Sequence, residues 1–456
     1  MNQIKYIAPA PMVGSGFAEE PFLAALSPDM AFIGCDAGSC DGGPSYLASE
    51  DKVFATREGV KRDLRILVKG ARSIKRPLLI GSCGGSGANW AVDLFRDLVC
   101  EIAAEEGLHF KLATIYTEPD RSTLKERLAQ GKVKPLHPAP AISDEIIDDC
   151  IRIVSMAGHE AFLEALDQGA DVVLCGRATD ASIFAAIPIR EGFDPGLCWH
   201  AAKILECGSA AVTKSDGPNG MICTIEEDRF LVEPVAPHHL VSTGSVAAHA
   251  LYETGDPFQM KEPGGTLILT DATYSQVSDR CVAVSGSAWQ QGAYTLRLEA
   301  ASLAGFQTMS IGGIRDPALL SELDTWLDEV RKRVRNSIER QFGWRMDEDY
   351  WLTVRCYGRD GVLGELEPER DSIGHEIGLL MTILASDQRR AASIASVAAH
   401  AYLHHTVPAW SGSVSNTAFP FSPHVVDLGP SYRFSLNHVV ELDRPNELFD
   451  FHYEDI

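Results

Sequence analysis

The chain has 456 residues, of which 45% are hydrophobic and 23% charged, so it is long enough for two or three globular domains and too apolar for extended disorder. Its formal net charge of −23 excludes nucleic acid and anionic membranes as favoured partners, because both surfaces are negative. No apolar stretch reaches the ~20 residues that span a bilayer, and no signal-peptide pattern opens the chain. We expect a soluble, cytoplasmic protein.

The eleven cysteines show no CxxC spacing, which excludes the common zinc-ribbon, iron–sulfur and thioredoxin motifs. Free thiols are expected, most of them buried as small apolar side chains. The sequence contains no nicotinamide or flavin motif. The cofactor therefore stays unknown from the sequence, with a divalent metal ion open at the carboxylates described below.

Residues 1–210 alternate apolar runs with amphipathic stretches. Helices are predicted at residues 57–71, 88–107, 158–169 and 195–207, with a shorter one after the N-cap candidates Ser143 and Asp144. Strands are predicted at residues 31–34, 77–80, 109–116, 151–155 and 172–175. Short apolar strands joined by helical crossovers are typical of a parallel sheet. The pattern predicts an α/β domain with an open, mostly parallel, doubly wound, Rossmann-like sheet.

Residues 211–456 have a different sequence pattern, in which polar turns separate segments of alternating β-branched residues. Strands are predicted at residues 265–270, 281–285, 294–299 and 352–357. Two long amphipathic helices are predicted at about 317–341 and 387–404. Hairpins combined with two helices indicate an α+β second domain.

Three predicted strands of the first domain end in clusters of Gly, Cys, Asp and Arg, at residues 35–43, 81–87 and 175–180. In an open parallel sheet the ligand crevice lies at the carboxyl ends of the strands. We therefore predict that these strands are central neighbours and that their clusters form one site.

The Gly-rich cluster at residues 81–87 follows a strand and opens a helix. Glycine lets a backbone approach an anion closely, and helix-start N–H groups bind phosphate or carboxylate. The spacing is neither the dinucleotide GxGxxG pattern nor a Walker loop. Tight packing of strand against helix is the alternative interpretation. The candidate substrate-binding residues here are Gly84, Gly85, Ser86, Gly87 and Asn89.

The cluster Cys-Gly-Arg-Ala-Thr-Asp at residues 175–180 carries two further candidates for substrate binding, Arg177 and Thr179. The guanidinium of Arg177 is a planar fork that suits a carboxylate, and Asp180 is a candidate for proton transfer. The alternative, purely structural roles are an Arg177–Asp180 ion pair and a helix cap by Thr179.

Asp36 and Cys83 complete the candidate catalytic set. Asp36 ends a strand directly, so we favour it over Asp41, and either carboxylate suits a hard divalent cation. The alternative is that both aspartates form Asx turns, which needs no functional role. Cys83 is a candidate reactive thiol, with a buried inert thiol as its alternative.

Two histidines, His238 and His239, precede a Ser/Thr/Gly turn at residues 242–245 that can close over a ligand. The sequence offers no Ser-His-Asp triad, because it lacks a GxSxG elbow on a strand-to-helix turn. His200 follows a Trp on a predicted helix, where core packing is the simpler interpretation.

Separated blocks of the chain resemble the acyclic terpene utilisation (AtuA) family, in order and over nearly the whole length. They are Gly-Ser-Gly-Phe at 14–17, Cys-Gly-Arg-Ala-Thr-Asp at 175–180, Trp-His-Ala-Ala-Lys-Ile-Leu-Glu-Cys-Gly at 199–208, Ile-Gly-Gly-Ile-Arg-Asp-Pro at 311–317 and Ala-Phe-Pro-Phe-Ser-Pro at 418–423. An ending similar to residues 433–440 occurs in members encoded beside a small protein. The resemblance implies a catabolic enzyme, with neighbourhoods that point to organic acids and acyl thioesters. The turn at residues 11–16 departs from the glycine-richer opening of the terpene type.

Residue chemistry and resemblance together give three hypotheses. The favoured one is a lyase or hydratase that acts on a small organic acid or its thioester, with a small partner subunit and an anionic substrate. The second is an acyl-CoA enzyme of acyclic terpene or branched-chain breakdown, and the third is a non-catalytic scaffold subunit. In each case we expect a homo-oligomer.

Overall fold

A computed structural model of the chain describes residues 3–252, 254–408 and 417–456. Contacts between residues group the chain into two units, a larger one of Met1–Ser302 with Phe434–Ile456 and a smaller one of Leu303–Arg433. None of the described helices combines the length and the apolar character that crossing a bilayer requires.

Helices and strands alternate in the first half of the chain, and strands dominate the second half. The strands of the described residues are, in chain order, β1 (Ile4–Ala8), β2 (Met30–Asp36), β3 (Leu78–Gly81), β4 (Lys111–Tyr116), β5 (Val133–Pro135), β6 (Cys150–Ser155), β7 (Val172–Cys175), β8 (Val212–Lys214), β9 (Met221–Ile225), β10 (Arg229–Pro234), β11 (Leu240–Val241), β12 (Gln259–Glu262), β13 (Gly265–Ile268), β14 (Thr273–Ser278), β15 (Cys281–Ser285), β16 (Ala288–Gln291), β17 (Thr295–Ile314), β18 (Tyr350–Tyr357), β19 (Ile377–Ala385), β20 (Val426–Glu441) and β21 (Asp450–Asp455). The α-helices are α1 (Glu19–Ala25), α2 (Pro44–Ala48), α3 (Arg57–Ile74), α4 (Asn89–Glu106), α5 (Arg121–Ala129), α6 (Asp144–Asp149), α7 (His159–Asp167), α8 (Ser182–Arg190), α9 (Pro195–Leu205), α10 (Thr243–Ala250), α11 (Pro317–Ser321), α12 (Leu323–Phe342) and α13 (Gln388–His404).

The larger unit is built on one open, mixed sheet. Its strand order is β14-β15-β10-β9-β1-β2-β3-β7-β4-β21. The central strands β1, β2, β3, β7 and β4 are parallel, whereas the strands on both sides of them pair antiparallel. The expectation of a mostly parallel sheet therefore holds for the centre alone. Short hairpins join β9 to β10 and β14 to β15, and a hairpin permits only antiparallel pairing.

The three strands that carry the polar clusters are neighbours, as predicted. Gly34 of β2 lies opposite Leu79 of β3, and Leu79 lies opposite Val173 of β7. Because the pairing is parallel, the carboxyl ends of all three strands lie at the same edge of the sheet.

Helices cover both faces of the parallel centre. Phe32, Leu79 and Val173 belong to a buried cluster that includes side chains of α7, α8 and α9. The residues next in sequence, such as Ile33 and Ile80, belong to a second cluster with α3 and α4. Strands buried on both faces need apolar side chains at every position, which explains their continuous apolar runs.

The predicted domain boundary near residue 210 does not coincide with the grouping by contacts. Strands β9 and β10 lie after that boundary, yet they extend the central sheet through the pairing of β9 with β1. Likewise, the strand expected at 294–299 is only the beginning of β17, which pairs with β6 in its first part.

The smaller unit is an antiparallel sheet with helices on one face. Strand β19 pairs with the second part of β17 on one side and with β18 on the other. Alternate residues of β19 are buried in a cluster with side chains of α12 and α13, where Trp326 and Tyr402 make a T-shaped ring contact at 5.5 Å. The helix expected at 317–341 is divided into α11 and α12 around Glu322, whose backbone leaves the helical range.

The packing of the Gly-rich loop can be tested by comparing two glycines that have nearly the same φ. Gly87 has φ +64° and Gly107 has φ +63°, so an alanine is strained similarly at both, by about 1–2 kcal/mol. A Cβ on Gly87 would lie 2.0 Å from the backbone nitrogen of Arg177, whereas one on Gly107 meets nothing within 4 Å. We expect Gly87→Ala to cost about 2–4 kcal/mol in total and Gly107→Ala only the φ strain. Urea unfolding of both variants measures the difference, and equal losses would contradict the close packing.

Candidate functional site

A cavity of about 880 Å³ opens in the larger unit near the carboxyl end of β7. Its wall combines the segment after β7 with parts of α9, β12 and β17. The charged residues that line it are Asp41, Arg177, Asp180, Lys203, Glu206, Asp256, Lys261, Glu262, Arg297 and Glu299. The carboxyl groups thus outnumber the cationic groups in the lining.

Arg177 is the most deeply buried cation of this wall, with a side chain only 5% exposed. Its Nη1 donates to the hydroxyl of Ser82 at 2.9 Å and to the carbonyl of Ala178 at 2.9 Å. Nη1 also lies 3.1 Å from Oδ1 of Asp180, and Nε donates to Oε2 of Glu299 at 3.0 Å. These acceptors come from β17 and from the loops after β3 and β7.

Burial acts against the charge of Arg177, but Glu299 and Asp180 more than offset it and raise the pKa of the guanidinium above its ordinary value. Burial alone would raise the pKa of Glu299, and Arg177 outweighs it, so that this pKa is lowered. The Arg177–Glu299 pair is therefore fully ionised. Within the described residues, Nη2 of Arg177 makes no hydrogen bond to the protein, and Arg177 lines the cavity.

Lys203 and Glu206 form a second buried ion pair, one turn apart at the end of α9. Their side chains are only 7% and 6% exposed. Burial would lower the pKa of Lys203, but the charge of Glu206 outweighs it and raises this pKa. Burial raises the pKa of Glu206, with a further rise from Asp180 that Lys203 only partly opposes. The two groups thus pair as ammonium and carboxylate, and burial makes the carboxylate of Glu206 a stronger base than an exposed one.

Glu262, the last residue of β12, adds a third buried carboxyl. Burial and, to a smaller extent, the charge of Asp180 raise its pKa to about 7, although Thr179 and Lys203 act in the opposite direction. Its Oε2 is buried without a hydrogen-bond partner in the described part of the chain. Glu262 therefore exchanges its proton near neutral pH.

Asp180, a predicted catalytic residue, lines the cavity beside these groups. Burial raises its pKa, and Arg177 acts in the opposite direction. Asp36 is buried at the end of β2, where Oδ2 accepts from the backbone N–H of Gly38 at 3.1 Å. Burial and the charge of Asp180 raise the pKa of Asp36 well above its ordinary value, against Arg177. Of the two aspartates weighed in the first cluster, Asp41 lines the cavity and Asp36 does not.

The Gly-rich loop meets the site through Ser82 and is itself fully buried, including Ser86. A Cβ on Gly85 would lie 2.1 Å from the ring of Phe54, and one on Gly84 would lie 2.7 Å from Ala91. Such close contacts are expected if the glycines serve to pack the strand tightly against the helix. None of the candidate loop residues Gly84, Gly85, Ser86, Gly87 and Asn89 lines the cavity.

The start of α4 already faces an anion. The backbone N–H of Asn89 donates to Oε1 of Glu118 at 2.7 Å. The protein thus supplies its own carboxylate at the helix N-terminus, where the dipole favours negative charge.

Cys83 is fully buried between the same strands. Burial, followed by the neighbouring Cys175 and Asp36, raises the pKa of its thiol well above the ordinary value. The thiolate, which is the nucleophilic form, is therefore disfavoured at this position. Thr179, in contrast, lines the cavity as a substrate-binding residue would.

Seven charged residues of the wall were not foreseen from the sequence: Lys203, Glu206, Asp256, Lys261, Glu262, Arg297 and Glu299. A signal was present for the first two, because every residue of α9 from 196 to 205 is buried and a charge within such an apolar helix needs a partner. Glu262 and Glu299 lie in strands that contain other polar residues. From the sequence alone, their charges cannot be distinguished from ordinary surface charges.

Comparison with known proteins adds one finding. The family model described as acyclic terpene utilisation family protein AtuA matches residues 80–422, which is more than half of the 456 residues. The match includes Arg177, Asp180, Lys203 and Glu206. Neither curated proteins nor solved structures gave a match.

The raised pKa of Glu262 predicts a pH-dependent cost of folding. The folded protein holds the proton up to about pH 7 and the unfolded chain only up to about the ordinary value of 4.5. Stability is therefore lost as the pH rises through this window. We expect Glu262→Gln, which cannot ionise, to gain about 2 kcal/mol relative to wild type between pH 5 and pH 8.

Urea unfolding at the two pH values measures this gain. The exposed Glu365→Gln is the matched control and should follow wild type at both. A Glu262→Gln variant that also follows wild type would show that this carboxyl does not hold its proton in the folded protein.

Proposed function

Since the chain belongs to the acyclic terpene utilisation family AtuA, we propose that it is a catabolic enzyme of the lyase or hydratase type. Its substrate is a small organic acid or the thioester of one, and its reaction is the loss or gain of water next to the carboxyl carbon. Such a reaction needs an anion anchor, a base and an acid close together.

One observation carries this proposal: the buried guanidinium of Arg177, whose Nη2 has no hydrogen bond within the described residues, shares a cavity with Glu262, a carboxyl whose pKa is about 7. Nη2 of Arg177 is the donor left over after Asp180 and Glu299 have been satisfied. Because the two N–H groups of this nitrogen share the positive charge of the guanidinium, Nη2 is suited to donate charge-assisted hydrogen bonds to a carboxylate or a thioester carbonyl of the substrate. Glu262 then lies in the same wall as an acid.

The proposed step removes water in a balanced way. The carboxylate of Asp180 takes the proton from the carbon next to the anchored group, and the electron pair of that bond forms the double bond. The carbon–oxygen bond on the next carbon breaks, and Glu262 gives its proton to the leaving hydroxyl, which departs as water. Hydration is the reverse. A pKa of about 7 suits Glu262 as the acid, because proton transfer is most efficient when the group titrates near the working pH.

We assign proton transfer to Asp180 in preference to Asp36 and Cys83. Asp180 lines the cavity, whereas the other two are buried behind its wall. Thr179 is assigned to substrate binding beside Arg177.

An acyl-CoA substrate from acyclic terpene or branched-chain breakdown is the second candidate. The cavity volume of about 880 Å³ lies at the upper end of the range for small-molecule sites and exceeds the need of a small acid. Lys261 is exposed at the lining, where it suits the phosphates of a CoA group.

We also propose that the chain acts as a homo-oligomer together with a small protein from a neighbouring gene. The direct test of function purifies the chain alone and with that partner. Organic acids and their CoA thioesters are then screened for loss or gain of water. Turnover of free acids supports the first candidate, and turnover of thioesters alone supports the second. No turnover with the partner present would favour a scaffold role.

Replacement of Arg177 by lysine keeps the charge but removes the planar set of donors, including the N–H groups of Nη2. We expect Arg177→Lys to weaken substrate binding by about 1.5–3 kcal/mol, seen as a higher KM. Steady-state kinetics with the substrate identified above provide the measurement. The control is Arg127→Lys, since Arg127 also pairs with two carboxylates, Asp443 and Glu447, but does not line the cavity. Equal kinetics for both variants would assign Arg177 to a structural role.

Asp180→Asn preserves the shape of the side chain and removes its basicity. We expect kcat to fall by about 100-fold or more, because an amide cannot accept the substrate proton. Thermal unfolding should show a folded variant, and Asp443→Asn, which removes the carboxylate partner of Arg127, serves as the control. A change in KM with kcat intact would instead mean that Asp180 only orients Arg177.

A further inference from the structure

Asp216, His238 and His239 form a cluster that the proposed reaction does not use. Nε2 of His238 lies 2.8 Å from Oδ2 of Asp216, and Nε2 of His239 lies 2.8 Å from Oδ1 of the same carboxylate. One ligand atom from each residue lies within 4.8 Å of the others. The three residues are not among those that line the cavity.

A two-stranded ladder holds the three residues in place. Strand β8 pairs antiparallel with β11, so that Lys214 lies opposite Leu240. Asp216 follows β8 by two residues, and His238 and His239 come directly before β11. The antiparallel pairing therefore brings both segments to the same end of the ladder.

His239 adds an observation that is independent of these distances. Its side chain is 1% exposed, and its Nδ1 is buried without a hydrogen-bond partner in the described residues. Its Nε2 faces both the Asp216 carboxylate and the Asp216 backbone N–H at 3.4 Å. An imidazole buried in this way is fixed toward the carboxylate and has no other use for its polar atoms.

Asp216 contributes an exposed carboxylate, and each of its two oxygens lies against one of the imidazoles. An anionic oxygen and two imidazole nitrogens are the donor set that borderline divalent metal ions such as Zn²⁺ prefer.

We propose that Asp216, His238 and His239 bind a divalent transition metal ion of the Zn²⁺ type through one carboxylate oxygen and the two Nε2 atoms. Two ligands of a tetrahedral zinc ion lie about 3.4 Å apart when each metal–ligand distance is about 2.1 Å. The separations in the cluster, from 2.8 Å to at most 4.8 Å, bracket this value. Asp216 and His238 are exposed, at 68% and 55%, so the ion has access and the remaining position takes water.

Bound metal would join the loop before β9 to the segment before β11. Both segments adjoin strands of the larger unit, and the site would therefore stabilise its fold. This role is separate from the proposed reaction, and its test does not require a substrate.

The experiment measures Zn²⁺ binding to the full chain after treatment with a chelator, by equilibrium dialysis and by thermal unfolding. We expect one saturable site and a Tm that rises by a few degrees with bound Zn²⁺. Asp216→Asn and His238→Gln alter exposed side chains and should leave the fold intact. Each should weaken binding by about tenfold or more and abolish the rise in Tm. Co²⁺ in the site should lack the absorption of thiolate ligands, which excludes the cysteines.

The matched control is a double variant, His400→Gln with His404→Gln. These histidines lie one turn apart on α13 with ring centroids 4.6 Å apart, so they are the alternative imidazole pair for a metal. Binding that survives in this control and fails in Asp216→Asn supports the site. Binding that is lost in the control, that is unaffected by Asp216→Asn and His238→Gln, or that is absent from wild type would overturn it and leave the cluster as an ion pair.

Discussion

The buried guanidinium of Arg177 is the constraint on which the site depends. A cation out of water is tolerated only when its donors are used and its charge is balanced. The chain meets this demand with Ser82 after β3, Ala178 and Asp180 after β7, and Glu299 in β17. Residues from three parts of the sequence are thereby held around one side chain that lines the cavity, and its Nη2 has no hydrogen bond within the described residues.

Charge balance around Arg177 also affects two further carboxyl groups of the cavity wall, those of Glu206 and Glu262. Since Glu299 and Asp180 already neutralise the guanidinium, the additional carboxyls of Glu206 and Glu262 share one buried cation, Lys203. Burial therefore raises the pKa of both groups. An excess of buried carboxyls over cations is thus what gives the cavity protons to exchange near neutral pH.

The parallel centre of the fold was readable from the sequence because its strands are buried on both faces. Residues 31–34, 77–80 and 172–175 are continuous apolar runs that end in, or are followed directly by, glycine or cysteine, and they form β2, β3 and β7. The sequence does not assign β9 and β10 to the same sheet, because they lie after the polar turns that begin near residue 215. Only their pairing with β1 shows that they belong to the same sheet.

For the site, the sequence by itself determined that Arg177, Thr179 and Asp180 stand at the end of a central strand, since that follows from local pattern and the geometry of parallel sheets. It also contained every charge of the wall, but it did not determine which charges meet. Lys203, Glu262 and Glu299 are distant in sequence, and only the packing of α9, β12 and β17 around one cavity decided that they face each other. The same holds for Asp216, His238 and His239, which the ladder of β8 and β11 brings together. The physical reason is that burial and charge pairing are properties of the assembled interior, whereas apolar periodicity is a property of each segment.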